Sequence, residues 1–69
     1  MPYVNIRLIE GATREEKEKI IAGVTQLLKD VLNKNPERTF VTIDDVPPEN
    51  WGVGGESFLT RNERNASRP

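Results

Sequence analysis

The chain contains no cysteine and no histidine. Without thiols there is no disulfide to staple a small fold and no thiolate metal site. Without imidazole the usual neutral-pH acid and base is missing, and carboxylates are the only side chains left to hold a metal. No metal or cofactor is therefore expected. Charge of one sign is also lacking: the formal net charge is −1, with Lys and Arg dispersed among Asp and Glu. That balance offers no basic face for a nucleic acid. No apolar run approaches the ~18–20 residues needed to cross a bilayer, and no signal-peptide pattern opens the chain. No membrane partner is expected, and a cytoplasmic location is the default.

What is present makes one domain. Sixty-nine residues, 35% of them hydrophobic, stand near the lower limit for a chain that builds its own core. With disulfides and soft-ligand metal sites excluded, self-association is the remaining way to stabilise it.

Residues 3–9 alternate: Val4, Ile6 and Leu8 share one face, and Tyr3, Asn5, Arg7 and Ile9 the other. This pattern predicts a strand. Pro2 suits its first position, where no ladder hydrogen bond has to be donated. Thr13 and Glu16 have the spacing of a capping box. Behind them Ile20, Ile21, Val24, Leu27, Leu28, Val31 and Leu32 form a helical stripe, which predicts a helix over 14–33, ended by Asn33 to Pro36. Residues 39–46 read as a second strand by β-branched content and alternation. Strand, helix and strand make a βαβ unit with parallel strands. Gly52, Gly54 and Gly55 permit a tight hairpin, and Ser57–Thr60 a short further strand. Residues 1–60 thus form a single α+β domain, and 61–69 a polar, patternless tail. Tyr3, Ile9 and Phe40 lie on the sheet face opposite the helix, which a second subunit has to cover.

Few groups offer chemistry. Asp44 and Asp45 are neighbours on a strand, so they point to opposite faces and cannot share a proton or a metal. The Gly52–Gly55 run neither follows a long strand nor opens a helix, so it reads as a turn rather than a phosphate cradle. Pro2 is the unusual candidate. Removal of an initiator Met before a small residue would leave a secondary amine at the start of a strand. An α-amino group ordinarily titrates at about 7.7–8.0. Burial beside apolar groups, or proximity to Arg, disfavours the cation, and the neutral amine is then available as a general base.

Pro2, the strand ending Leu8-Ile9-Glu10-Gly11, the helix carrying Glu15-Glu16-Lys17, the strand at 39–46 and Asn50-Trp51-Gly52-Val53-Gly54-Gly55-Glu56 together resemble the 4-oxalocrotonate tautomerase family of the tautomerase superfamily. Asn33-Lys34-Asn35 and Ile43-Asp44-Asp45-Val46 resemble its DmpI-like subgroup. The resemblance covers about residues 2–58. It implies a β-α-β subunit with a C-terminal hairpin, assembled as a trimer of dimers with sites shared between subunits. It implies Pro2 as the catalytic base, Trp51 and Val53 as pocket walls, and substrate contacts from Ile9. It also implies an isomerase of aromatic hydrocarbon catabolism that acts on a small anionic substrate.

Two positions depart from the family. Its enzymes on dicarboxylates carry an Arg after the glycine that ends the first strand, where this chain has Ala12. They carry another in the strand after the helix, where this chain has Val41 or Phe40, depending on the anchor used. Arg14, Arg38 and Arg7 are the candidates to supply charge instead. The expected activity is keto–enol tautomerisation of an unsaturated 2-hydroxy or 2-oxo acid such as 2-hydroxymuconate. A hydratase or dehalogenase using the same proline, or a non-catalytic oligomeric binding protein of this fold, are the alternatives.

Overall fold

A computed structural model describes residues 1–66 of the chain. The βαβ unit is present with boundaries within a residue of those expected: β1 (Tyr3–Ile9), α1 (Arg14–Leu32) and β2 (Phe40–Val46). The strands pair in parallel, from Tyr3 opposite Phe40 to Ile9 opposite Val46. Alternation then decides the layers. Val4, Ile6 and Leu8 with Val41 and Ile43 lie half-buried on the face that α1 covers. Asp45 is on that face too, ion-paired with Lys17 near the start of α1. Asp44 points the other way, accepting from Asn5 Nδ2 at 3.1 Å. The two carboxylates therefore diverge as the strand pleat requires.

Helix α1 begins in the capping box. Thr13 Oγ1 accepts the Glu16 backbone N–H at 3.1 Å, and Glu16 Oε1 accepts the Thr13 N–H at 2.8 Å. Asn33 ends the helix in the left-handed region (φ 56°), its N–H bonded to Lys29 O at 2.9 Å. The backbone hydrogen bond from Thr13, and then the side-chain one, hold the Glu16 carboxyl below its ordinary range. A carboxyl whose folded value is depressed stabilises the fold above its unfolded titration and loses that contribution as pH falls through the folded value. Thr13→Ala is expected to cost about 1 kcal/mol in denaturant unfolding at neutral pH. Glu16→Gln keeps an acceptor but cannot titrate, so it should flatten the acid limb of stability below the ordinary glutamate range.

The C-terminal region departs from expectation. A 3-10 turn (Pro48–Asn50) leads to a hairpin of β3 (Gly52–Val53) and β4 (Glu56–Ser57). Its two loop residues, Gly54 and Gly55, have φ of 62° and 86°, the paired left-handed values that a two-residue hairpin loop requires. The expected strand over Ser57–Thr60 stops at Ser57. Helix α2 (Phe58–Ala66) follows, crossing the expected boundary at residue 60, so Arg61–Ala66 are helical rather than patternless. Ser57 Oγ caps it by accepting the Thr60 N–H at 3.1 Å. Arg64 returns to Glu56 with two nitrogen–oxygen distances of 2.7 Å. The remainder of the expected tail, 67–69, lies outside the described residues.

Among the described residues no side chain is fully buried. Ile20, Val24 and Leu28 of the helical stripe are half-covered, whereas Leu27, Val31 and Leu32 are 59%, 69% and 56% exposed. A two-stranded sheet is too narrow to cover so wide a stripe. The radius of gyration is 16.2 Å, against about 11 Å for a compact chain of this length. The accessible surface is 5430 Å², against about 4,400 Å² for a compact monomer of this mass. A single copy thus leaves apolar surface open that a compact chain of this length would cover. No helix among the described residues is long and apolar enough to cross a membrane.

Candidate active site

Pro2 stands at the head of β1, half-buried, and its carbonyl accepts the Phe40 N–H at 3.0 Å. That bond extends the ladder one step beyond the strand and holds the proline against β2. Met1, which precedes it, is 84% exposed. While Met1 is attached the Pro2 nitrogen is an amide without basicity. Its removal would uncover the amine without disturbing any packing.

The parallel register also decides which strand residue lies on which side near Pro2. Val41 pairs with Val4 beneath α1, so it is committed to the helix layer. Phe40 pairs with Tyr3 on the open face and is 50% exposed. Of the two positions aligned with the family's second arginine, Phe40 is the one that can face outward.

The remaining candidates divide by end of the sheet. Arg38 belongs to the 3-10 turn Pro36–Arg38 immediately before β2, at Pro2's end. Ile9 is at the opposite end, seven residues along β1 and about 23 Å from Pro2 at ~3.3 Å per residue. Ala12 and Arg14 follow Ile9. Trp51 and Val53 follow the far end of β2, since Glu10 N–H bonds Val46 O at 2.9 Å and the chain then passes through Pro47 and Pro48. Arg7 lies between, on the open face. Within a single chain Pro2 and Arg38 thus belong to one end of the sheet, whereas Ile9 ends β1 at the other and Arg14, Trp51 and Val53 follow beyond it. No pocket forms within one copy among the described residues.

Trp51 is held from both sides. Its N–H bonds Pro48 O at 3.3 Å, and its carbonyl accepts the Phe58 N–H at 2.7 Å. The Trp51 backbone therefore forms the root of an arm made by the hairpin and α2, which the Arg64–Glu56 fork ties together. Val53, 38% exposed, is on the same arm.

The open sheet face carries a ladder that the alternation pattern alone did not reveal. Tyr3 Oη lies 2.9 Å from Thr42 Oγ1, Asn5 Nδ2 donates to Thr42 Oγ1 at 2.7 Å and to Asp44 Oδ2, and Arg7 Nε lies 3.8 Å from Asp44 Oδ2. Alternation assigns these residues to a face, but only the cross-strand register pairs them. Arg7 is thereby occupied. Arg14 is 93% exposed and paired with Glu18 at 3.2 Å. No group of three or more acidic residues gathers to hold a metal among the described residues.

Residues 2–61 match the family described as tautomerase enzymes. The chain belongs to the tautomerase family. A probable tautomerase, K2, of Dickeya dadantii is 55% identical over 65 residues, which span 93% of this chain and 97% of that protein. A 2-hydroxymuconate tautomerase of Comamonas testosteroni is 39% identical over 57 residues, 83% of this chain and 90% of that one. The crystal structure of DmpI from Helicobacter pylori superposes with a TM-score of 0.81 at 42% identity, covering 90% of this chain and 97% of its own. The resemblance to the DmpI-like tautomerases is thus borne out, as is the β-α-β fold. The chain is an enzyme of the 4-oxalocrotonate tautomerase type, an isomerase, which sets aside a binding-only role.

Proposed function

We propose that this tautomerase catalyses keto–enol conversion of a small unsaturated 2-hydroxy acid such as 2-hydroxymuconate, with the Pro2 amine as the proton carrier. The observation that carries the reading is the placement of Pro2: half-buried at the strand head and held by the Phe40 N–H, in a chain with no imidazole or thiol. The uncharged amine takes the proton of the enol hydroxyl as the electron pair moves through the conjugated system. The resulting ammonium returns that proton to carbon, giving the ketone. Nothing is oxidised and no water is consumed. The relative from Comamonas testosteroni supports the substrate class.

The site is completed in an assembly of copies, for which we propose a hexamer, a trimer of dimers. The absence of any fully buried side chain among the described residues supports this, and so does the separation of Pro2 from Trp51. In the complete site Trp51 and Val53 would exclude water, and Ile9 would contact the substrate.

Spectrophotometric assay of 2-hydroxymuconate ketonisation, run beside haloacrylates, tests the reaction. Turnover of the enol with none of the haloacrylates is the expected result. Halide release without ketonisation would replace the tautomerase reading with a dehalogenase that uses the same proline. Mass spectrometry of the active protein should show Met1 absent.

A further inference from the structure

We propose that Arg38 binds a carboxylate of the substrate beside Pro2, taking the place of the arginines missing at Ala12 and Phe40. This rests on the reading of Pro2 as the proton carrier. Three arginines are available on the βαβ unit, and the structure separates them. Arg7 faces Asp44 on the open sheet, with 3.8 Å between charged atoms. Arg14 is beyond the far end of β1 and pairs with Glu18. Arg38 makes no ion pair among the described residues, and it is exposed at the end of the sheet where Pro2 stands. Phe40, whose N–H holds the Pro2 carbonyl, is two residues away, about 7 Å of extended chain.

The backbone under Arg38 is fixed. Its own N–H bonds Asn35 O at 3.0 Å, and the Glu37 N–H bonds Asn35 Oδ1 at 3.0 Å. Thr39 closes the turn, with its N–H on Pro36 O at 3.3 Å and its hydroxyl on Asn35 O at 2.9 Å. Pro36 restricts the chain further by its locked φ. With the backbone of the turn already fixed, only the side-chain rotamers of Arg38 remain to be ordered when it binds. Glu37 is adjacent in sequence, but successive residues of a 3-10 turn project about 120° apart, so it does not cancel the guanidinium. The planar fork matches a carboxylate with two parallel N–H···O bonds, whereas a lysine ammonium acts as a point charge. Arg38 moves no proton. It sets which end of an acid lies against Pro2.

The experiment measures both binding and turnover for Arg38→Ala and Arg38→Lys, with Arg7→Ala and Arg14→Ala alongside. Calorimetric titration uses cis,cis-muconate, a dicarboxylate that cannot ketonise. Kinetics use 2-hydroxymuconate and the uncharged methyl ester of phenylenolpyruvate. Loss of a charge-assisted carboxylate contact is expected to weaken muconate binding about 10–100-fold in Arg38→Ala. KM for 2-hydroxymuconate should rise by a similar factor, while the ester is unaffected and Arg38→Lys recovers only part of the loss. Unchanged muconate binding in Arg38→Ala would overturn the proposal. So would an equal loss in Arg7→Ala or Arg14→Ala, an equal loss on the ester, or no binding by the unaltered protein. Full activity after the Pro2 nitrogen is blocked would instead remove the reading of Pro2, a result separate from any of these.

Discussion

Blocking the nitrogen of Pro2 is expected to lower kcat/KM for 2-hydroxymuconate ketonisation by about 10²–10⁴-fold, the usual contribution of a positioned proton-transfer group. The cleanest block is a short polar extension ahead of Pro2 that resists processing. It leaves the ring, the strand and the Phe40 N–H bond in place, and turns the amine into an amide. Pro2→Ala is the weaker substitution, because a processed alanine terminus still carries a primary amine. It lacks the ring that fixes the nitrogen's direction, so its loss should fall near the lower end of the range. Both proteins should retain the thermal unfolding midpoint of the unaltered chain, since Pro2 fills no fully buried position. The ascending limb of the pH–rate profile should disappear from the extended protein, because no histidine or cysteine is present to replace it. Activity within twofold of the unaltered enzyme would exclude the amine as base.

The βαβ unit was legible in the sequence because each of its signals is local. Val4, Ile6 and Leu8 alternate, and the Thr13–Glu16 box and Asn33 mark the helix ends. A continuous apolar stripe lies between those marks. Helix α2 was not legible for the opposite reason. Phe58, Leu59 and Ala66 are its only apolar residues, too few for a period, and its order comes from Ser57 capping Thr60 and Arg64 gripping Glu56. Those ties exist only once the Gly54-Gly55 turn has brought the arm together. The site was partly legible. Elimination of other bases left Pro2 as a candidate only, and its assignment as the base came from the resemblance to the 4-oxalocrotonate tautomerases. The choice among Arg7, Arg14 and Arg38 needed the parallel register and the ion pairs, neither of which a single sequence displays.

The second large effect concerns the stripe that one copy leaves uncovered. Leu27→Asp together with Val31→Asp is expected to abolish assembly and, with it, stable folding. The two side chains are 59% and 69% exposed in a single chain, four residues apart on one face of α1. Exposed apolar groups of this size, aligned along a helix in a chain with no fully buried side chain among its described residues, fit a surface completed by another copy. Full burial of a leucine or valine contributes about 1.5–3 kcal/mol. An unpaired carboxylate in its place adds a desolvation cost of several kcal/mol, and the loss recurs in every copy. Sedimentation velocity should then show monomer, and far-UV circular dichroism a loss of helix. Activity should vanish as well, because Pro2 and Trp51 of one chain lie at opposite ends of its sheet. Lys19→Gln is the control. It removes only a surface contact to Glu15 at 3.5 Å, of a kind worth less than about 1 kcal/mol, and should leave assembly intact. In the unaltered enzyme the unfolding midpoint should rise with protein concentration, as mass action requires when folding and association are coupled. A midpoint independent of concentration, with the double variant still folded and active, would show that the single chain is sufficient.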